Sequence, residues 1–274
     1  MKKKFKRYAA IAGVVLLLAV FCLPMVFAFG SSGESQTLFR GALAAAFLVP
    51  VLAYIILMVY QMLNKRKPQQ EEERMIENII FDVGQVLMAF EWEKYLKGFG
   101  FSEEKYEKIA DATFRSSVWD ERDRGCFEEE EYLRQFCALA PEYEADIREV
   151  LRRSDETLSC FPYSKTWTQY LKSQGYHLYI LSNYSDYMLR KTRKDMSFLK
   201  YMDGVVFSCE VKELKPEEGI YRKLLDTYHL DPDKSVFLDD RAANCEGARK
   251  LGIHAIQFES FKQAAAELEK YGVK

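Results

Sequence analysis

Asn78-Ile-Ile-Phe-Asp-Val-Gly-Gln-Val-Leu87 decides how the rest of this chain is read. Ile79, Ile80 and Phe81 form an apolar run of strand length, and a carboxylate, Asp82, closes it. A charge at the end of a buried strand is costly unless it finds partners. Two readings of this stretch stay open. In one, Asp82 caps a turn through its side-chain oxygen, as Asp commonly does. In the other, it is a nucleophile and metal ligand at the carboxyl edge of a parallel sheet, where open α/β folds bind their ligands.

Downstream, apolar runs alternate with amphipathic stretches. Segments 79–82, 177–182, 204–208, 235–239 and 253–258 read as buried strands. Segments 163–173, 186–195, 216–228, 242–251 and 261–271 read as helices. Such alternation predicts a parallel sheet covered on both faces. One interval breaks the rhythm. Between the first strand and His177, segments 102–113, 127–139 and 142–153 carry apolar residues at helical spacing. They predict a helical insertion, about 90–160, placed as a lid over the carboxyl edge of the sheet. Trp92 and Tyr95 are assigned to its core. Trp119-Asp-Glu-Arg-Asp-Arg-Gly125 reads as a loop between two of its helices. Arg122 or Arg124 is there a candidate contact for a substrate's hydroxyls or phosphate, against the plainer reading of a solvated loop.

The strand ends carry the chemistry. The first ends in Asp82, the second in Ser182 and Asn183, and the fourth in Asp239 and Asp240; Lys215-Pro-Glu217 follows shortly after the third. A parallel sheet brings these termini to one edge. Three close carboxylates repel one another unless a cation sits among them. An all-oxygen cluster of few ligands suits Mg²⁺, which shares its coordination sphere with waters and phosphate. Each motif alone has a bland explanation as a turn or a cap; the four in this order do not.

With those residues in place, the chain from about Met75 to Tyr271 resembles the haloacid dehalogenase-like hydrolase superfamily. The resemblance rests on Phe81-Asp-Val-Gly-Gln-Val-Leu87, Leu181-Ser-Asn183, Lys215-Pro-Glu217, Phe237-Leu-Asp-Asp-Arg-Ala-Ala-Asn-Cys-Glu-Gly-Ala248 and Leu251-Gly-Ile253. It implies an α/β fold, a Rossmann-like parallel sheet with an inserted α-helical cap. It also implies Asp82 as nucleophile and Mg²⁺ ligand, with Asp240 and Asp239 completing the metal site. Ser182 and Asn183 would hold the transferring phosphoryl group, Lys215 would neutralise its charge, and Asn244 would support the metal-site loop.

Gly84 departs from the pattern. Many phosphatases of the superfamily carry a second Asp two residues after the nucleophile, as general acid and base. The backbone carbonyl of Gly84 still serves as a metal ligand, but the acid is missing, and such help is typically worth about 10²–10⁴ in rate. The glycine resembles a branch of sugar-1-phosphate phosphatases, whose anomeric leaving group needs less protonation. Water or a cap residue is a second source of the proton, and a catalytically weak binding or regulatory module is a third explanation. The 2-haloacid dehalogenases also lack that Asp but need no Mg²⁺, which the Asp239-Asp240 pair argues against.

Residues 1–64 are of another kind. Segments 8–30 and 41–64 hold no charged residue. A helix of about 22 residues spans roughly 33 Å, enough for a bilayer core, so two transmembrane spans at about 8–30 and 41–63 are expected to form a hairpin. Lys2, Lys3, Lys4, Lys6 and Arg7 precede the first span, and Lys65, Arg66 and Lys67 follow the second. The positive-inside rule then places both termini, and the domain 75–274 beyond the linker 65–74, in the cytoplasm at the cell membrane. Val26-Phe-Ala28 is a candidate signal-peptidase site, and cleavage there would leave that domain on the same side. The 274 residues hold 39 Lys/Arg and 41 Asp/Glu. Ten of the basic residues and four of the acidic ones fall before Met75, so the remainder is acidic and offers nucleic acid no basic stripe. The expected partners are a small phosphorylated substrate and, through the hairpin, the membrane. Six cysteines without CxxC pairing and three histidines argue against a disulfide framework or a zinc site.

Overall fold

The computed structural model describes residues 76–274, which fall within one compact unit, Arg74–Lys274. The expected membrane hairpin and the linker 65–74 lie outside the described residues. Among the described residues no helix is long and apolar enough to cross a membrane.

Strand β1 (Asn78–Phe81) leads into β2 (Met88–Phe90), and five helices follow: α1 (Trp92–Lys97), α2 (Glu103–Ala112), α3 (Ser117–Arg124), α4 (Glu129–Leu139) and α5 (Glu144–Arg152). The chain returns through β3 (Leu158–Cys160), antiparallel to β2, and α6 (Ser164–Ser173). Then come β4 (His177–Ser182), α7 (Asp186–Thr192), β5 (Gly204–Phe207), the short α8 (Ser208–Val211), α9 (Glu218–Tyr228), β6 (Ser235–Asp239), α10 (Ala242–Arg249), β7 (His254–Gln257) and α11 (Phe261–Lys270).

The sheet runs β5-β4-β1-β6-β7, all parallel. Successive side chains of a strand face opposite ways, so one apolar run feeds two cores. Ile79, Phe81, Leu178, Ile180 and Leu238 pack with Trp167 of α6 and Leu268 of α11. Ile80, Tyr179, Leu181 and Phe237 pack on the other side with Leu224 of α9 and Ala248 of α10. The five predicted strands are all present, two with the predicted bounds and three with bounds moved by one residue.

Register then sets the site. Phe81 stands between Ile180 and Leu238, and the Asp82 amide donates to the Leu238 carbonyl at 2.9 Å. The next residues of β1 and β6 are Asp82 and Asp239, which therefore leave the sheet side by side, with Ser182 ending the strand on the other flank.

The predicted helical insertion has its own core of Leu96, Ile109, Phe136, Ile147, Val150 and Leu151. Trp92 stacks on Phe114 at 5.3 Å, and the Tyr95 hydroxyl donates to the Val150 carbonyl at 2.8 Å, so both belong to the cap core as expected. The segment from Trp119 is different. It is not a loop but most of helix α3, ended by Gly125 at φ 71°. Its run of charged residues suggested solvent, yet Arg122 is only 1% exposed, because Glu129 of α4 pairs with it inside the cap.

Phe136 is fully buried in the cap, where truncation to Ala costs about 3–5 kcal/mol. Phe136→Ala is expected to lower the unfolding free energy by that amount, read from urea denaturation followed through tryptophan fluorescence. A change below about 1 kcal/mol would show that the cap core is not closely packed.

Candidate active site

Asp82 is 7% exposed and its Oδ1 accepts three donors. These are the Val83 amide at 2.7 Å, the Ser182 hydroxyl at 2.7 Å and the Lys215 ammonium at 2.8 Å. Lys215 also reaches Asp239 Oδ2 at 2.6 Å. Asp239 is fully buried; Oδ1 takes the Arg241 amide at 2.8 Å, and Asn244 Nδ2 lies 3.0 Å from both oxygens. Lys215 owes its position to Asn183. The Asn183 carboxamide donates to the Lys215 carbonyl at 3.0 Å and accepts its amide at 2.8 Å. The side chain of Asn183 is thus engaged with backbone, while Ser182 stands on Asp82.

The electrostatics follow from burial. Loss of water pushes the Asp82 carboxyl up to about 6; Lys215 pulls it down and Asp239 pushes it up. Burial opposes the charge on Lys215, but Asp239 and Asp82 hold its pKa above the ordinary lysine value. Burial, with the charge of Asp239, also raises Asp240. One ammonium thus serves three carboxylates, a deficit of positive charge at the edge.

The donor set fits Mg²⁺. Carboxylate oxygens of Asp82, Asp239 and Asp240 lie within 4.8 Å of one another. Asp239 is filled by its donors, whereas Asp240 is half-exposed and lines the cavity with Asp82 and Gly84. Asn244 Oδ1, buried in the same wall, has no donor, an acceptor left over for a cation's water. Oxygen-only ligation by one or two carboxylates, completed by waters and substrate phosphate, is what Mg²⁺ takes.

The cavity above this edge holds about 500 Å³. Its floor is Asp82, Gly84, Asn183, Lys215 and Asp240. Its roof is cap: Phe90, Phe114, Trp119, Asp120 and Asp123. Phe90 stacks on Trp119 at 5.8 Å and Phe114 lies 4.8 Å from Trp119, which makes an aromatic wall. Arg122 and Arg124, the expected substrate contacts, do not line it. Arg122 is taken by Glu129, and Arg124 forks onto Glu217 at 2.7 and 2.8 Å. The cap residues that do face the cavity were missed. Positions 116, 119, 120 and 123 share one helical stripe, a signal available once the segment is read as a helix rather than a loop.

A sequence profile of haloacid dehalogenase-like hydrolases matches residues 76–252. The chain belongs to this family. D-ribitol-5-phosphate phosphatase of Bacteroides thetaiotaomicron is 22% identical over 207 residues, covering 68% of this chain and 93% of that enzyme. Bifunctional epoxide hydrolase 2 of Mus musculus is 41% identical over 71 residues, 26% of this chain. The chain spans 13% of that mouse enzyme, and 19% of its rat and pig counterparts. Among solved structures, a haloacid dehalogenase-like enzyme of B. thetaiotaomicron in complex with magnesium and inorganic phosphate superposes with a TM-score of 0.55. It is 22% identical and covers 69% of this chain and 98% of its own. That likeness shows the fold.

The raised Asp82 predicts a pH dependence of stability. The folded chain keeps this proton to about pH 6, whereas the ordinary value is 3.8. Between those values unfolding releases a proton, so raising the pH favours unfolding. With chelator present, the wild type is expected to lose more stability than Asp82→Asn from about pH 4 to 6.5, read from urea midpoints. Parallel slopes would refute the shift.

Proposed function

We propose that this chain is a Mg²⁺-dependent phosphatase of a small phosphoester, held at the membrane by its N-terminal hairpin with the catalytic domain in the cytoplasm. What supports the catalytic part is one observation: a hydroxyl and an ammonium meet on a single oxygen of the carboxylate Asp82, in a cavity lined by both the sheet edge and the cap. Asp82, the Gly84 carbonyl and Asp240, with Asp239 behind, would hold the metal. Mg²⁺ bound there would screen the anionic carboxylate from the anionic phosphate.

The chain's own residues divide the remaining work. Asp82 attacks phosphorus and becomes an aspartyl-phosphate, which water then hydrolyses. Lys215 neutralises charge on the equatorial oxygens, and the Ser182 hydroxyl orients the nucleophile. Asn183 positions Lys215 through its backbone. The substrate class follows from the roof. An aromatic wall beside the carboxylates Asp120 and Asp123 suits the C–H face and hydroxyls of a sugar or polyol phosphate. The name of the D-ribitol-5-phosphate phosphatase relative agrees with that class.

Gly84 favours one rival, a weakly catalytic binding module. It has no side chain to give a proton, though a Cβ built there meets nothing within 4 Å. A dehalogenase is the other rival, since (S)-2-haloacid dehalogenase 4A of Burkholderia cepacia is 28% identical over 111 residues. The acidic cluster disfavours it, because a metal-independent reaction has no use for Asp240.

The test is phosphate release by the full chain from sugar and polyol phosphates, with Mg²⁺ and with chelator. Release is expected only with Mg²⁺, at background in Asp82→Asn and lowered about 10²–10³-fold in Ser182→Ala. Turnover of 2-haloacids in chelator would establish the dehalogenase instead. No turnover in the wild type, with release gained in Gly84→Asp, would establish the binding module.

A further inference from the structure

The two steps at Asp82 each need a proton moved. The leaving oxygen takes one in the first step, and the attacking water gives one up in the second. None of Asp82, Ser182 and Lys215 is placed to do both, because all three are committed to one another. Gly84 offers no group. The cavity contains one further carboxyl tied down from both sides, and it comes from the cap.

Asp123 lies in the last turn of α3 and is half-buried in the roof of the cavity, across from Asp82, Gly84 and Asp240. Its side chain accepts the Ser185 backbone N–H, three residues past Ser182. Its own carbonyl accepts the Ser208 hydroxyl at 2.5 Å. On the next residue, Arg124 forks onto Glu217, two residues past Lys215. Beyond that, Lys212 donates to the Gly125 carbonyl. Gly125 lies so close to the core that a Cβ there would meet Cys209 Cβ at 3.0 Å. The turn carrying Asp123 is therefore fastened to the strand ends that carry the nucleophile and the lysine, not left to swing on the cap.

We propose that Asp123 is the general acid and base of this site, in place of the side chain that Gly84 lacks; the proposal rests on the phosphatase reading. As Asp82 attacks, the bond from phosphorus to the leaving oxygen breaks, and that oxygen takes the Asp123 proton. The product alcohol leaves, and Asp123 remains as carboxylate. It then takes a proton from the water that attacks the aspartyl-phosphate. The bond between phosphorus and Asp82 breaks, releasing inorganic phosphate and restoring both carboxyl groups to their starting states. No other reactant is required.

The surroundings support a proton on Asp123 near neutrality. Burial pushes its carboxyl up to about 7; Arg122 pulls it down, Asp120 pushes it up, the Ser185 N–H lowers it and Asp82 raises it. A general acid works best when its pKa lies near the working pH.

Leaving groups separate this role from a structural one. We would measure kcat/KM of the full chain with Mg²⁺ on phenyl, 4-nitrophenyl and 2,4-dinitrophenyl phosphate, whose phenolates need progressively less protonation. For the wild type a shallow dependence on leaving-group pKa is expected. For Asp123→Asn, phenyl phosphate is expected to fall about 10²–10³-fold and 2,4-dinitrophenyl phosphate less than about 10-fold, which steepens the dependence. The double variant Gly84→Asp with Asp123→Asn is expected to become shallow again, and its recovery would also show that the fold is intact. An equal fall on all three esters, or no fall, would overturn the assignment while leaving the phosphatase standing. No release from any ester above the Asp82→Asn background would overturn both.

Discussion

The Lys215 ammonium stands 2.8 Å from Asp82 and 2.6 Å from Asp239, and the whole carboxyl edge of the sheet depends on it. Parallel pairing of β1 with β6 brings two carboxylates to the sheet edge at the same level, where the charge of Asp239 raises the pKa of Asp82. Buried charge of this kind is tolerated only when paired and hydrogen-bonded, and losing the partner of a buried pair costs roughly 3–5 kcal/mol. The lysine does not come from the sheet itself. It comes from the connection after β5, and the Asn183 carboxamide at the end of β4 holds its backbone by two hydrogen bonds. Four strand ends are therefore locked into one arrangement by a single cation and one amide.

The same short connection reaches the cap. Lys215 faces the carboxylates, and Glu217, two residues on, takes the Arg124 fork from α3. The partnership with Arg124 holds the Glu217 carboxyl down at about 2, so this ion pair is intact across the neutral range. Cap and core consequently meet where Asp82 is positioned. An insertion with its own buried core has no need of such a fastening for its own packing. The fastening makes sense as alignment, because misplacement of a reacting group by about 1 Å can cost a hundredfold in rate.

How much of this was legible in the sequence depends on how far apart the partners are. The strands were readable because each is a compact apolar run closed by a polar residue, and the edge was readable because parallel strands share a direction. The pairing of β2 with β3 was not, since both have three residues and nearly seventy others separate them. Helix α3 was hidden for a different reason. Its charges resemble a solvated surface until Arg122 is seen to be buried against Glu129, between the rings of Trp119 and Tyr187. Charge in a sequence signals exposure only while its partner is unknown. The roles given to Arg122 and Arg124 fell with that misreading, and the stripe holding Trp119, Asp120 and Asp123 replaced them at the cavity.

Gly84 gains meaning in that light. Nothing crowds the position: a Cβ there would meet open space, and its backbone is not in the left-handed region that glycine is needed for. Steric need therefore does not account for the glycine, and a carboxylate there would join three others already sharing one ammonium. Moving the acid to the cap keeps that fourth carboxylate off the floor. It also places that acid on a turn held to the strand ends by Ser208, Lys212 and the Arg124–Glu217 fork, so on this proposal the proton is kept as well aligned with Asp82 as one carried on the sheet edge itself.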